Sequence, residues 1–226
     1  MSAEIAPIKA RRLAERFGLG TASGVLSGAE MLPVLPALAE LLPQGGLRRG
    51  RLYSLSGPGS LMLAFALAAE GTRRGHWCTA LTDEELGLSA VADLGIRLDR
   101  LAVASVPGGE WLEALGILVD AVDIVIAQPG FRPAPREQQR LLARVRERRA
   151  IVLLLDDWPG AQDLRLGERQ WEGLEAGAGR LRRCRRQVRT PTGQHALWLP
   201  DEHGGVSPAP SAEVTLLSFG KGTPDA

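Results

Sequence analysis

Between residues 51 and 155, short apolar runs at 52–56, 76–81, 101–106, 122–127 and 151–155 alternate with stretches of helical spacing at 61–70, 85–94, 110–119 and 136–148. Runs of Leu, Ile, Val and Ala without polar alternation suit strands buried on both faces, and strands separated by helices are joined in parallel. The pattern predicts an α/β fold with a mostly parallel sheet flanked by helices. Beyond residue 155 the rhythm changes. Stretches 164–174, 181–190 and 194–199 read as strands or hairpins with no helix between them, and Thr190-Pro191-Thr192-Gly193-Gln194 reads as a turn. A C-terminal antiparallel extension of the core is expected.

The 226 residues, 45% of them hydrophobic, suffice for one domain with a substantial core. A net charge of +1 gives no overall field toward a polyanion, so any basic surface is local. Cys78 and Cys184 lack metal-ligand spacing and the density of a disulfide scaffold, and read as reduced interior thiols. His76, His195 and His203 are scattered. No metal and no cofactor are expected. No apolar run reaches the roughly 20 residues of a membrane span, and the charged N-terminal stretch is unlike a secretory signal. A cytoplasmic protein without membrane contact is expected.

Residues 1–44 read as an N-terminal helical segment and linker. Ile5, Ile8, Leu13 and Phe17 fall at helical spacing, 18–28 is a connector, and a second short helix over 31–42 is interrupted by Pro33 and Pro36. The core is expected over 45–200. Residues 201–226 read as a flexible tail rich in Pro, Gly and Ser, with an apolar island at 212–219 suited to a docked strand or a partner-binding segment.

The stretch RLYSLSGPGSLMLAFALAAE, residues 51–70, is a buried strand, a glycine turn and a helix. That is the layout of a phosphate loop, in which backbone N–H groups at a helix N-terminus cradle an anion, a lysine neutralises the phosphates and a hydroxyl holds magnesium. Counting G-x-x-x-x-G-K-[ST] from Gly57 places Met62, Leu63 and Ala64 at the second glycine, the lysine and the hydroxyl. The lysines, Lys9 and Lys221, lie near the chain ends, and Arg73 and Arg74 follow the helix instead of opening it. Gly57, Pro58, Gly59 and Ser60 keep a turn capable of weak anion contact, while Leu63 reads as core packing. A pseudo-ATPase without catalysis is expected.

GGLRRGRLYSLSGPGS, residues 45–60, resembles the strand and phosphate loop of RecA-type recombinases. In the same order, VADLGIRLDRLAVASVPGGEWLEALGILV, AVDIVIAQPG and TPTGQHALWLP are similar to later segments of that family, so the resemblance covers roughly 45–200. It implies a RecA-like core with most of the catalytic set missing. The aspartate of the magnesium-supporting strand falls at Gln128, and the sensing glutamine falls near Asp157. Glu85 is the counterpart of the water-activating glutamate, although a glutamate opening a helix is also an ordinary solvated first-turn residue.

Such losses resemble the ImuA group, in its divergent actinobacterial and myxobacterial form. That resemblance implies an accessory factor in SOS-induced mutagenic translesion synthesis, at the nucleoid when DNA is damaged. Its implied partners are an ImuB-type inactive Y-family polymerase relative and, indirectly, an error-prone DnaE-type polymerase, with RecA as a further candidate. A weak ATP-dependent DNA-binding ATPase and a SulA-type cell-division inhibitor are the alternatives.

GRLRRCRRQVRT carries Arg180, Arg182, Arg183, Arg185, Arg186 and Arg189. Read as an edge strand, it places Arg180, Arg182 and Arg186 with Cys184 and Val188 on one face, and Arg183, Arg185 and Arg189 with Leu181 and Gln187 on the other. Two readings stand: a basic ribbon for DNA phosphates or an acidic partner, and an edge blunted by charge. Trp198 is the nearby aromatic, which gives little support for base stacking. Trp111, Trp158 and Trp171 read as core or interface fillers, and 136–149 as an amphipathic surface helix with Leu141, Leu142 and Val145 on its buried stripe.

Overall fold

The computed structural model describes residues 30–175 and 178–210. The expected N-terminal helix, the connector and the apolar island lie outside the described residues. Two short antiparallel strands, β1 (Met31–Pro33) and β2 (Gly46–Arg48), bracket a single 3-10 segment, Pro36–Leu41. The helix expected over 31–42 is thus corrected. Pro33 ends a strand, Leu35 before Pro36 is extended (ψ 142°), and Pro36 opens the turn that buries Leu38 and Leu41.

The alternation then follows: β3 (Arg51–Ser56), α1 (Ser60–Arg73), β4 (Cys78–Leu81), α2 (Leu88–Asp93), β5 (Leu101–Ala104), α3 (Trp111–Ala121), β6 (Ile124–Ala127), α4 (Pro135–Arg148) and β7 (Ile151–Leu154). Four more strands follow among the described residues: β8 (Gln162–Glu175), β9 (Ala178–Thr190), β10 (Gly193–Trp198) and β11 (Ser207–Pro208). Together they form a nine-stranded mixed sheet in the order β11-β10-β9-β8-β3-β7-β6-β4-β5. Strands β3 to β8 pair in parallel, and β8 to β11 pair antiparallel as the expected extension.

Side chains of the central strands alternate between two cores. Tyr53, Leu55, Ile126 and Leu153 pack on the α1 side, while Leu52, Val125, Val152 and Leu154 face α3 and α4. This is why those strands show no polar alternation. On α4, Leu141 and Val145 are buried, and Arg144 and Arg148 reach Asp120 of α3 at 2.9 and 3.1 Å.

Two further expectations are corrected. The arginine-rich strand β9 is not at the sheet edge. It lies between β8 and β10, and Cys184, Arg186, Val188 and Thr190 are buried in strict alternation. At the start of the expected tail, residues 201–210 fold back: the Asp201 carboxylate accepts the His203 and Gly205 N–H groups, and β11 pairs with β10. Both cysteines are free and buried, and burial pushes the Cys78 thiol up to about 12. No helix among the described residues is long and apolar enough to cross a membrane.

At the amino ends of β3, β4 and β6, Arg49, whose side chain is 1% exposed, donates to Asp123 at 3.0 Å, with His76 Nδ1 3.2 Å from the same oxygen. Burial favours the neutral Asp123 carboxyl, but the hydrogen bonds and charges of His76 and Arg49 outweigh it and hold the group below the usual carboxylate range. The folded pKa is therefore below the unfolded value of about 3.9. This stability is fully present above that value and is lost as pH falls from it through the folded pKa. Asp123→Asn is expected to lose about 3 kcal/mol at neutral pH, because Arg49 stays buried without its carboxylate. It is also expected to show a flatter acid limb in urea midpoints measured from pH 6 to pH 2. An acid limb identical to wild type counts against this linkage.

Candidate functional site

The glycine turn lies at the carboxyl end of β3, where ligands of open α/β sheets bind. Gly57 (φ +96°) and Gly59 (φ +90°) both occupy the left-handed region. In a working phosphate loop such glycines leave room for the anion. Here protein takes the space. A Cβ on Gly57 would stand 2.2 Å from the Leu166 carbonyl oxygen of β8, and one on Gly59 would stand 2.7 Å from the Arg186 guanidinium carbon of β9.

Arg186 is 4% exposed. Its Nη1 donates to the Pro58 carbonyl of the turn, and its Nε donates to the Leu199 carbonyl at 3.3 Å. The Ser60 N–H is used by the Gly57 carbonyl at 3.2 Å, the Leu63 N–H by Gly59 at 3.1 Å, and Pro58 has no N–H to offer. Two N–H groups of the turn and first helical turn are thus used internally, a third is absent at Pro58, and the space beside both glycines is filled by β8 and β9. Leu63 and Ala64 are fully buried on α1.

Gln128, at the end of β6, is equally occupied. Its Oε1 accepts from the Thr82 hydroxyl at 2.9 Å, and its Nε2 donates to Glu84 at 2.8 Å, tying the carboxyl ends of β4 and β6 together. Its carboxylate neighbour is Glu84 and not Glu85. Glu85 is exposed in the connection before α2, which begins at Leu88, so it does not open that helix as expected. Gly87, with a β-type backbone, precedes the first helical turn. Asp157 accepts from Arg165 at 3.2 Å.

The six arginines of β9 do not form one ribbon. Arg186 belongs to the glycine turn. Arg183 pairs with Glu172 (2.8 Å) and Glu202 (3.6 Å) and lies 4.0 Å over the Trp198 ring. Arg185 donates to the Pro210 carbonyl at 2.7 Å. Arg180, Arg182 and Arg189 are exposed, with no ion pair among the described residues. Trp111 and Trp158 fill the core, whereas Trp171 is on the surface.

Sequence reasoning missed the junction of Arg186 with the turn. Its signal is the period of 2 shared with Cys184 and Val188, a charge in core register. A groove of about 520 Å³ lies elsewhere, bordered by Arg73, Asp93, Leu94, Asp201, His203 and Pro208. Among the described residues, no group of three or more His, Cys, Asp or Glu side chains is placed to hold a metal ion.

Arg186→Met keeps the bulk but leaves the Pro58 and Leu199 carbonyls without their charged donor, at roughly 1.5–3 kcal/mol for each such bond. Relief of the buried charge offsets part of that. A net loss of about 2 kcal/mol in urea unfolding is expected, with faster amide exchange at residues 57–63. An equal or higher stability would mean that Arg186 does not brace the turn.

These features define an α/β protein whose large mixed sheet carries a glycine turn closed by an arginine of its own antiparallel extension. The model of the MT3502 N-terminal domain family matches residues 40–160, more than half the chain, and the chain belongs to that family. It is also 34% identical over 125 residues to the uncharacterized protein Rv3395c of Mycobacterium tuberculosis (strain ATCC 25618 / H37Rv), a match covering 54% of this chain and 60% of that protein. The family range contains the glycine turn, Glu85 and Gln128 and ends after β7, so β8 to β11 and Arg186 lie beyond it.

Proposed function

We propose that the chain is a non-catalytic adaptor with a RecA-like core, an ImuA-type accessory factor in SOS-induced mutagenic translesion DNA synthesis. It docks an ImuB-type polymerase relative that lacks activity, and through it reaches an error-prone DnaE-type polymerase. The observation that carries the pseudo-ATPase part is the closed glycine turn. Buried Leu63 stands at the lysine position, and Arg186 and Leu166 occupy the space beside both glycines. Gln128, at the position of the metal carboxylate, is bound within the protein. The ordered resemblance over 45–200 supports the RecA-like core and the mutagenesis role.

Calorimetry with a non-hydrolysable ATP analogue and magnesium is expected to give no heat of binding at millimolar ligand. Micromolar, magnesium-dependent binding overturns the pseudo-ATPase assignment in favour of a weak ATPase. Co-expression with the ImuB-type relative from the same genome is expected to yield a complex that survives gel filtration. Separate elution removes the partner assignment.

A further inference from the structure

Strand β8 runs parallel to β3 but pairs with it only through Arg165, then continues to Glu175, about 30 Å further at strand rise. On the other side, β10 pairs with β9 up to Arg185, and the Leu199 and Pro200 backbone follows it as far as Cys184. The remainder, residues 170–175 with 178–183, is a two-stranded arm that pairs only with itself among the described residues. It projects past the carboxyl end of β3.

Trp171 lies on this arm opposite Cys184 and is 41% exposed. Arg169 precedes it by two residues on the same face. Opposite the single residue Gly173, β9 bulges so that Arg180, Leu181 and Arg182 stand together, with the Arg182 stem against Gly173. Arg169, Arg180 and Arg182 are exposed, with no ion pair among the described residues. Arg183, in contrast, is neutralised by Glu172 and Glu202 and already covers Trp198. Among the described residues, the arm and its base thus bring three guanidinium groups without an ion pair near one exposed indole, despite a net charge of only +1.

We propose that this arm binds single-stranded nucleic acid, with Trp171 stacking on a base and Arg169, Arg180 and Arg182 contacting the flanking phosphates. An exposed aromatic between cations is the arrangement that grips a single strand without reading its sequence. A duplex keeps its bases stacked on one another and leaves the indole nothing to receive. The adaptor role does not require this site, and the site does not require the adaptor role. Leu174 and Leu181, also exposed on the arm, are what a protein partner would use instead.

The test uses the full chain and a fluorescein-labelled 20-nucleotide oligothymidylate, followed by anisotropy across a salt series. Saturable binding is expected, at least tenfold weaker for Trp171→Ala and for the pair Arg180→Glu with Arg182→Glu. Neutralising the two arginines instead, as Arg180→Gln with Arg182→Gln, should lower the log-affinity against log-salt slope by about 1.4, from about 0.7 for each lost phosphate contact. A duplex of the same length should bind more weakly, and Leu174→Ser with Leu181→Ser should leave affinity unchanged. Circular dichroism establishes that each variant is folded. Absence of saturable binding, or affinity indifferent to the Trp171 and arginine changes, overturns the proposal. So does loss of capture of the ImuB-type relative by the arm variants with oligonucleotide affinity intact.

Discussion

Leu63→Lys restores the lysine that motif spacing demands, yet it is expected to remove most of the chain's stability and to confer no nucleotide binding. Leu63 is 0% exposed on α1 and belongs to the larger of the two cores. An unpaired ammonium there carries a desolvation penalty of several kcal/mol, against a typical total of about 5–15 kcal/mol for a folded domain. The buried lysine lowers that cost by giving up its proton, because desolvation pushes its pKa below the unfolded value. Between the lowered folded value and the unfolded one, the unfolded chain binds more protons, so stability rises with pH. The variant should therefore show a much lower urea midpoint than wild type at pH 7 and a partial recovery toward pH 10. An unchanged midpoint together with new magnesium-dependent binding of an ATP analogue would show instead a dormant phosphate site lacking only its cation.

The parallel core was legible because β6 and β7 are apolar throughout and β4 carries only Thr79 among apolar residues, a pattern suited to burial on both faces. β4, β6 and β7 are buried at every position, and their sequences say so directly. What stayed hidden depends on neighbours distant in sequence. Arginine on both faces of β9 reads as an edge strand when only the local pattern is weighed. Its place between β8 and β10 is set by pairing, and Arg186 is tolerated in core register because Pro58 and Leu199 offer it carbonyls. The extra length of the β8–β9 hairpin, which separates Trp171 from the core, likewise follows from where β3 and β10 stop. Glu85 looked like a helix-opening residue through its run of acids, but the first turn formed only after Gly87. In the glycine turn, the missing lysine was visible in the residues, while the protein atoms that fill the turn came from strands more than 100 residues away.

Gly57→Ala is expected to cost at least about 3 kcal/mol, and its excess over a matched control measures what the turn is for. Two costs add at this position. A φ of +96° strains any side chain, by about 1–2 kcal/mol. The new Cβ would also meet the Leu166 carbonyl oxygen at 2.2 Å, a backbone atom of a buried β8 residue. That oxygen withdraws only if β8 moves, one residue beyond its pairing of Arg165 with Ser56. Gly75, with a φ of +90° and nothing within 4 Å of its Cβ position, isolates the backbone term. Gly75→Ala should lose only that 1–2 kcal/mol in urea unfolding. Gly59→Ala should fall between the two, because its obstacle is the end of the Arg186 side chain, which swings aside at the expense of its carbonyl contacts. A glycine retained only for an approaching phosphate would make Gly57→Ala no worse than Gly75→Ala. A clear excess at Gly57 instead identifies β8 as the neighbour that keeps this glycine in the turn, in a chain where the anion's place has been taken by protein.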